Sequence, residues 1–148
     1  MSVDVLERPQ VSQVAVRQRV KILIIDDDAA RAGQLARRLG RQGFAILWAR
    51  SGESGLAIAS SERPGLAVLD LQGLDDEQLA VCGQLVDGPA TCGIPVLVLS
   101  DTDSPDAVRR CRAAGCHFFL RTPYDPNVLL TLIRRALADS GISSGPAE

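Results

Sequence analysis

Lysine is nearly missing from this chain. Lys21 stands alone, and every other basic side chain is arginine. No G-x-x-x-x-G-K-[ST] segment occurs, which excludes a phosphate-cradling nucleotide loop of that kind. Histidine is as scarce, with His117 the only one. Cys82, Cys92, Cys111 and Cys116 form no C-x-x-C pair and no metal-ligand spacing with it, so they read as buried or idle thiols. No apolar stretch is long enough to span a bilayer. Asp4, Glu7 and Arg8 interrupt the start of the chain, where a signal peptide would need an apolar core. A cytoplasmic protein is expected, with no membrane partner. The net charge of -2 gives no attraction toward nucleic acid either.

What is present is ordinary for a folded domain. The chain has 148 residues, 46% of them hydrophobic and 23% charged. That length and composition fit one domain with a sizeable core. Residues 1–19 are polar without a clear period and read as a tail. Residues 140–148 are rich in Ser, Gly and Pro and read as a disordered tail. The domain is expected over residues 20–139.

The dominant feature is V-K-I-L-I-I-D-D-D at residues 20–28, an apolar run halted by three carboxylates. Uninterrupted Ile and Leu are the signature of a strand buried on both faces. Three further apolar runs follow: Phe44–Ala49, Leu66–Leu69 and Ile94–Leu99. A fifth, shorter strand is expected over His117–Leu120. Helical spacing separates them, beginning with Ala32, Leu35, Ala36 and Leu39. Ser51, Ser104-Pro105 and Asp125-Pro126 read as helix starts, and Asp28 reads as the cap of the first helix. Asp75, Asp76 and Glu77 suit the positive end of the third. Phe44 and Trp48 read as packing for the second strand. Strict alternation of strand and helix predicts an α/β fold: a doubly wound, flavodoxin-like parallel sheet of five strands, order 2-1-3-4-5, with five helices.

In that order the first and third strands are neighbours. Asp26 and Asp27 end the first, Asp70 ends the third and Ser100 ends the fourth. Three converging carboxylates repel one another unless a cation relieves them. Hard oxygen ligands of this kind suit Mg²⁺, which could orient a phosphoryl group for attack by a carboxylate.

The segments I-L-I-I-D-D-D, L-A-V-L-D-L, I-P-V-L-V-L-S and A-G-C-H-F-F-L-R-T-P-Y, in this order, resemble the receiver domain of bacterial two-component response regulators. The resemblance spans Val20 to about Asp139. It implies that Asp70 is the phosphoacceptor, and that Asp26, Asp27, Asp70 and the backbone carbonyl of Gln72 hold Mg²⁺. It implies that Ser100 hydrogen-bonds the aspartyl phosphate and that Phe119 occupies the aromatic switch position. The implied phosphodonor is a histidine kinase or a phosphotransfer protein. The implied output surface is the fourth helix, fifth strand and fifth helix, which would engage a downstream protein or a second copy in a homodimer. Such a domain assists its own phosphoryl transfer and is not an enzyme in the ordinary sense.

The chain also departs from the family pattern. Thr122 stands where receivers carry lysine, just before Pro123. A hydrogen bond to a charged group is worth about 1.5–3 kcal/mol, against about 0.5–1.5 for a neutral pair. Lys21, at the far end of its strand, cannot substitute, and the pocket is therefore expected to lack its cation. Asp101 follows Ser100 where a small residue is usual, adding bulk and charge. The loop L-Q-G-L-D-D-E-Q after Asp70 lacks the usual proline and D-G turn. These departures support an alternative: a degenerate receiver that binds a partner without a phosphorylation cycle. A metal-dependent phosphatase of the haloacid dehalogenase kind is disfavoured, because D-L-Q places no second carboxylate two residues after Asp70.

Overall fold

The structure, a computed structural model, describes residues 19–102 and 104–141. Of the two expected tails, all but Arg19, Ser140 and Gly141 lies outside these residues. Five strands, β1 (Lys21–Ile25), β2 (Ala45–Ala49), β3 (Leu66–Asp70), β4 (Val96–Ser100) and β5 (Phe118–Arg121), form one parallel sheet in the order β2-β1-β3-β4-β5. The helices are α1 (Ala29–Arg41), α2 (Gly52–Glu62), α3 (Asp76–Asp87), α4 (Pro105–Ala113) and α5 (Pro126–Asp139). Topology and element order are those expected from the alternation.

The central strands are apolar through their middles, between Lys21 at the start of β1 and Asp70 and Ser100 at the ends of β3 and β4, because both faces are covered and side chains alternate between the faces. Ile22, Ile24, Leu66, Val68, Leu97 and Leu99 face one core, built with Leu35 and Leu39 of α1 and Leu129 and Ile133 of α5. Leu23, Ile25, Ala67, Leu69, Val96 and Val98 face the other, built with α2, α3 and α4. Helix caps fall where the sequence predicts them. Asp28, Ser51, Asp75, Ser104 and Asp125 each accept a backbone N–H from the first turn of the helix they precede.

Three strands start later than the apolar runs suggest. The N–H of Phe44 bonds Leu39 O, and that of Ile94 bonds Thr91 O, so both residues close turns instead of joining the ladder. His117 sits at the strand entrance, where its Nδ1 accepts the N–H of Val96 at 3.0 Å. The third helix buries Leu79, Cys82 and Leu85, while Val86 is only partly covered. Cys82 and Cys111 are buried in the core, Cys116 is partly buried and Cys92 is exposed; burial pushes Cys82 up to about 11 and Cys116 up to about 12. Trp48 corrects a prediction. It is 40% exposed and lies outside the core, because its indole N–H donates to the main-chain carbonyl of Asp26 at 2.9 Å. Arg50 lies over its ring, 5.5 Å from the centroid.

Candidate functional site

The site sits at the carboxyl ends of β1 and β3, where the parallel register brings it together. Ile24 pairs with Val68 and Ile25 with Leu69, so one further step sets Asp26 opposite Asp70. Both carboxylates are withdrawn from water, with side chains 3% and 7% exposed. The exposed Asp27 lies alongside.

Two buried carboxylates side by side require a cation or a proton. The structure supplies a cation that the sequence reading overlooked. Arg31, in the first turn of α1, grips Asp26 with two nitrogens: Nη2 to Oδ1 at 2.7 Å and Nε to Oδ2 at 3.1 Å. Nε also lies 3.4 Å from Asp70 Oδ2, and the two Nη atoms reach Asp27 at 3.5 Å and Asp28 at 3.6 Å. One guanidinium therefore serves four carboxylates. A signal was present in the sequence. A cation in the first turn of a helix opposes the helix dipole, and α1 has no acidic residue in that turn. Only neighbouring negative charge makes the placement favourable. The expectation of a pocket without a cation is thus corrected: the charge comes from α1, not from the end of β5.

Asp70 is the perturbed group. Burial pushes its pKa up to about 6, and the neighbouring Asp26 adds to the rise. The side-chain amide of Gln72, which donates to Asp70 Oδ1, and the charge of Arg31 act in the opposite direction. The hydrogen bonds that Arg31 donates to Asp26 raise the pKa of Arg31, which keeps it charged. The backbone N–H of Arg31, donated to Asp28 as a cap, holds that carboxyl below its ordinary value.

Asp26 and Asp70 line two cavities. One, of about 200 Å³, also touches Asp27, Arg50, Ser51 and Gln78. The other, of about 250 Å³, is bounded by Arg31, Arg38, Thr122 and Tyr124. Thr122 therefore borders the same cavity as Asp70, and its N–H donates to Ser100 O at 2.8 Å. The Thr122-Pro123 bond is cis. Ser100 is fully buried, and its Oγ accepts the N–H of Thr102 at 3.1 Å. Phe119 is partly buried against the core on the α2–α4 side. Neither Ser100 nor Phe119 lines either cavity. Asp101, expected as a source of hindrance, has its carboxylate engaged elsewhere. Its Oδ1 accepts the N–H of Gly73 at 3.1 Å and the hydroxyl of Thr102 at 3.2 Å. The β3–α3 loop that it meets turns through Gly73 at φ +83° and Leu74 at φ +53°, left-handed backbone that glycine adopts without strain.

The oxygen donors suit a hard divalent ion in kind. The four carboxylates are gathered about Arg31, and no group of three or more acidic, His or Cys side chains among the described residues stands in metal-holding geometry.

Residues 22–134 match the family model for the response regulator receiver domain. The chain belongs to this receiver family. Response regulator MprA of Mycolicibacterium vanbaalenii is 33% identical over 132 residues, covering 86% of this chain and 56% of the relative. Protein PilH of Pseudomonas aeruginosa is 30% identical over 120 residues, covering 80% of this chain and 98% of PilH. This receiver thus spans about half the length of some curated relatives and nearly all of another. Among solved structures, a CheY-like receiver domain protein of Methanospirillum hungatei has a TM-score of 0.74 at 24% identity, covering 83% of this chain and 97% of that one. The receiver domain of a histidine kinase of Syntrophus aciditrophicus has a TM-score of 0.73 at 29% identity, covering 81% and 91%. The first likeness speaks to the fold alone. No described helix of this receiver is long and apolar enough to cross a membrane.

Proposed function

We propose that this receiver domain accepts a phosphoryl group on Asp70 within a two-component phosphorelay. The observation that carries the reading is the buried Asp70 carboxylate at the end of β3, opposite Asp26 and open to two cavities. A histidine kinase or phosphotransfer protein is the donor class, met by this domain in the cytoplasm. An Asp70 oxygen forms a bond to phosphorus while the P–N bond of a phosphohistidine breaks, its electron pair returning to the imidazole. The product is an acyl phosphate, and the domain catalyses nothing beyond its own modification. Asp26, Asp27, Asp70 and the Gln72 carbonyl would hold Mg²⁺, which when bound offsets the negative charge on the phosphoryl oxygens. The Ser100 hydroxyl, whose oxygen already accepts from Thr102, has its proton left to donate to the phosphoryl group. The output surface is α4, β5 and α5, offered to a downstream protein or a second copy.

Incubation with acetyl phosphate and Mg²⁺, followed by intact mass measurement, tests this. One phosphoryl group is expected on the wild type and none on Asp70→Asn. An unmodified wild type, under conditions that modify an ordinary receiver, would overturn the proposal.

A second reading, a phosphorylation-independent binding module, is favoured by one observation: Gln72 and Arg31 already engage both oxygens of Asp70. It predicts that a partner captured by the wild type is captured equally by Asp70→Ala. Loss of capture on that substitution would rule it out.

A further inference from the structure

The guanidinium of Arg31 lies between the carboxylates of Asp26 and Asp70, within 3.4 Å of an oxygen of each. We propose that Arg31 is a resident competitor of the divalent cation, so that Mg²⁺ enters the site only by displacing it. The inference rests on the reading of this acidic cluster as the metal half of a phosphoacceptor site, and it adds a residue that gates that half.

Three features carry it. The first is occupancy. Asp26 Oδ1 accepts from Arg31 Nη2 and from the N–H of Asp28 at 3.0 Å, and Oδ2 accepts from Arg31 Nε. Such a two-point, charge-assisted grip is roughly twice as strong per bond as a neutral hydrogen bond and fixes the carboxylate's orientation. The second is position. Nε lies 3.1 Å from Asp26 Oδ2 and 3.4 Å from Asp70 Oδ2. Mg²⁺ approaches its oxygens at about 2.0–2.1 Å in a near-octahedral shell that keeps several waters. An ion bridging those two oxygens, with its waters, would overlap the N–H that now lies between them. Two cations at that distance also repel, so the guanidinium and the metal exclude each other by charge as well as by volume. The third is an exit. The Arg31 side chain is 39% exposed, so it can swing into solvent without opening the core.

This device also gives the acidic cluster a counter-ion when metal is scarce. Thr122 cannot provide one from the end of β5, and Lys21 is held at the opposite end of β1 by Glu62 at 2.9 Å.

Trp48 makes the inference measurable. It is the only tryptophan in the chain, and its indole donates to the Asp26 carbonyl. Mg²⁺ is titrated into the full chain, without phosphodonor, and followed by Trp48 fluorescence and by calorimetry. The wild type, Arg31→Ala and Arg31→Gln are compared after circular dichroism has confirmed folding. Both variants are expected to bind Mg²⁺ at least about tenfold more tightly than the wild type, the factor corresponding to one charge-assisted hydrogen bond no longer broken on binding. Equal or weaker binding in the variants, with the wild type still binding Mg²⁺, overturns the inference and leaves the phosphoacceptor reading standing. No binding by any of the three overturns both. A measurement on the wild type alone serves as a check that needs no variant. The Arg31 Nε–H resonance is expected to exchange slowly with solvent without metal and rapidly at Mg²⁺ saturation. A resonance that stays protected at saturation also overturns the inference.

Discussion

Asp70→Asn is expected to melt several degrees above the wild type at pH 8 in the presence of a chelator, and at the same temperature as the wild type near pH 3.5. The cause is the carboxyl pushed up to about 6 in the fold, against an ordinary value of 3.8. Between these values the folded chain holds a proton that the unfolded chain has already lost. The stability that this proton provides is complete below about pH 3.8 and is lost as pH rises through about 6. Above that, the wild type carries a buried carboxylate that Arg31 only partly compensates. Asparagine occupies the same volume and never ionises. A shift of this size corresponds to on the order of 2–3 kcal/mol, at about 1.4 kcal/mol per pKa unit, or several degrees for a domain of this size. Thermal melts of both proteins across the pH range measure the difference directly. A gain that grows toward acid, or no gain at pH 8, would show that Asp70 is not the destabilised group.

The second large effect lies one residue before the acidic cluster. A Cβ built on Gly55 in α2 would stand 2.6 Å from Ile25 Cδ1 and 2.8 Å from its Cγ1. Gly55→Ala is therefore expected to destabilise by about 1–3 kcal/mol through overpacking, although alanine favours a helix by about 1 kcal/mol. Ile25, 4% exposed, fills the space beneath the helix. Ile25→Ala is expected to cost about 2–5 kcal/mol through the cavity it leaves. Each change relieves the other, so the double variant should be more stable than the sum of the two losses implies, by about 1 kcal/mol or more. Urea denaturation of the four proteins gives the coupling. Strict additivity would mean that α2 does not seat against β1 through this contact.

Much of the fold was legible because each signal was local. The run from Ile22 to Ile25 is buried on both faces in the structure as its composition implies. Asp28, Ser51, Ser104 and Asp125 cap the helices they precede, since capping depends on a few adjacent residues. The convergence of Asp26 with Asp70 followed from strand order alone. What escaped notice depended on where long side chains reach. Arg31 follows Asp26, Asp27 and Asp28 by only three to five residues, but nothing in its helical pattern indicates that the same side chain also reaches Asp70 on β3. Trp48 looks like core by composition, yet a carbonyl at the end of the neighbouring strand draws it to the edge. Asp101 looked like an obstruction to the pocket, and the N–H that engages it belongs to a loop 28 residues earlier.

That last contact has a mechanical consequence. One oxygen of Asp101 holds Gly73 in the loop after Asp70 and Thr102 in the loop that leads to α4. The two loops are riveted together, and neither can shift alone without breaking a bond to a charged acceptor. A displacement of Gly73 that keeps this bond must carry Asp101 with it, away from the end of β4.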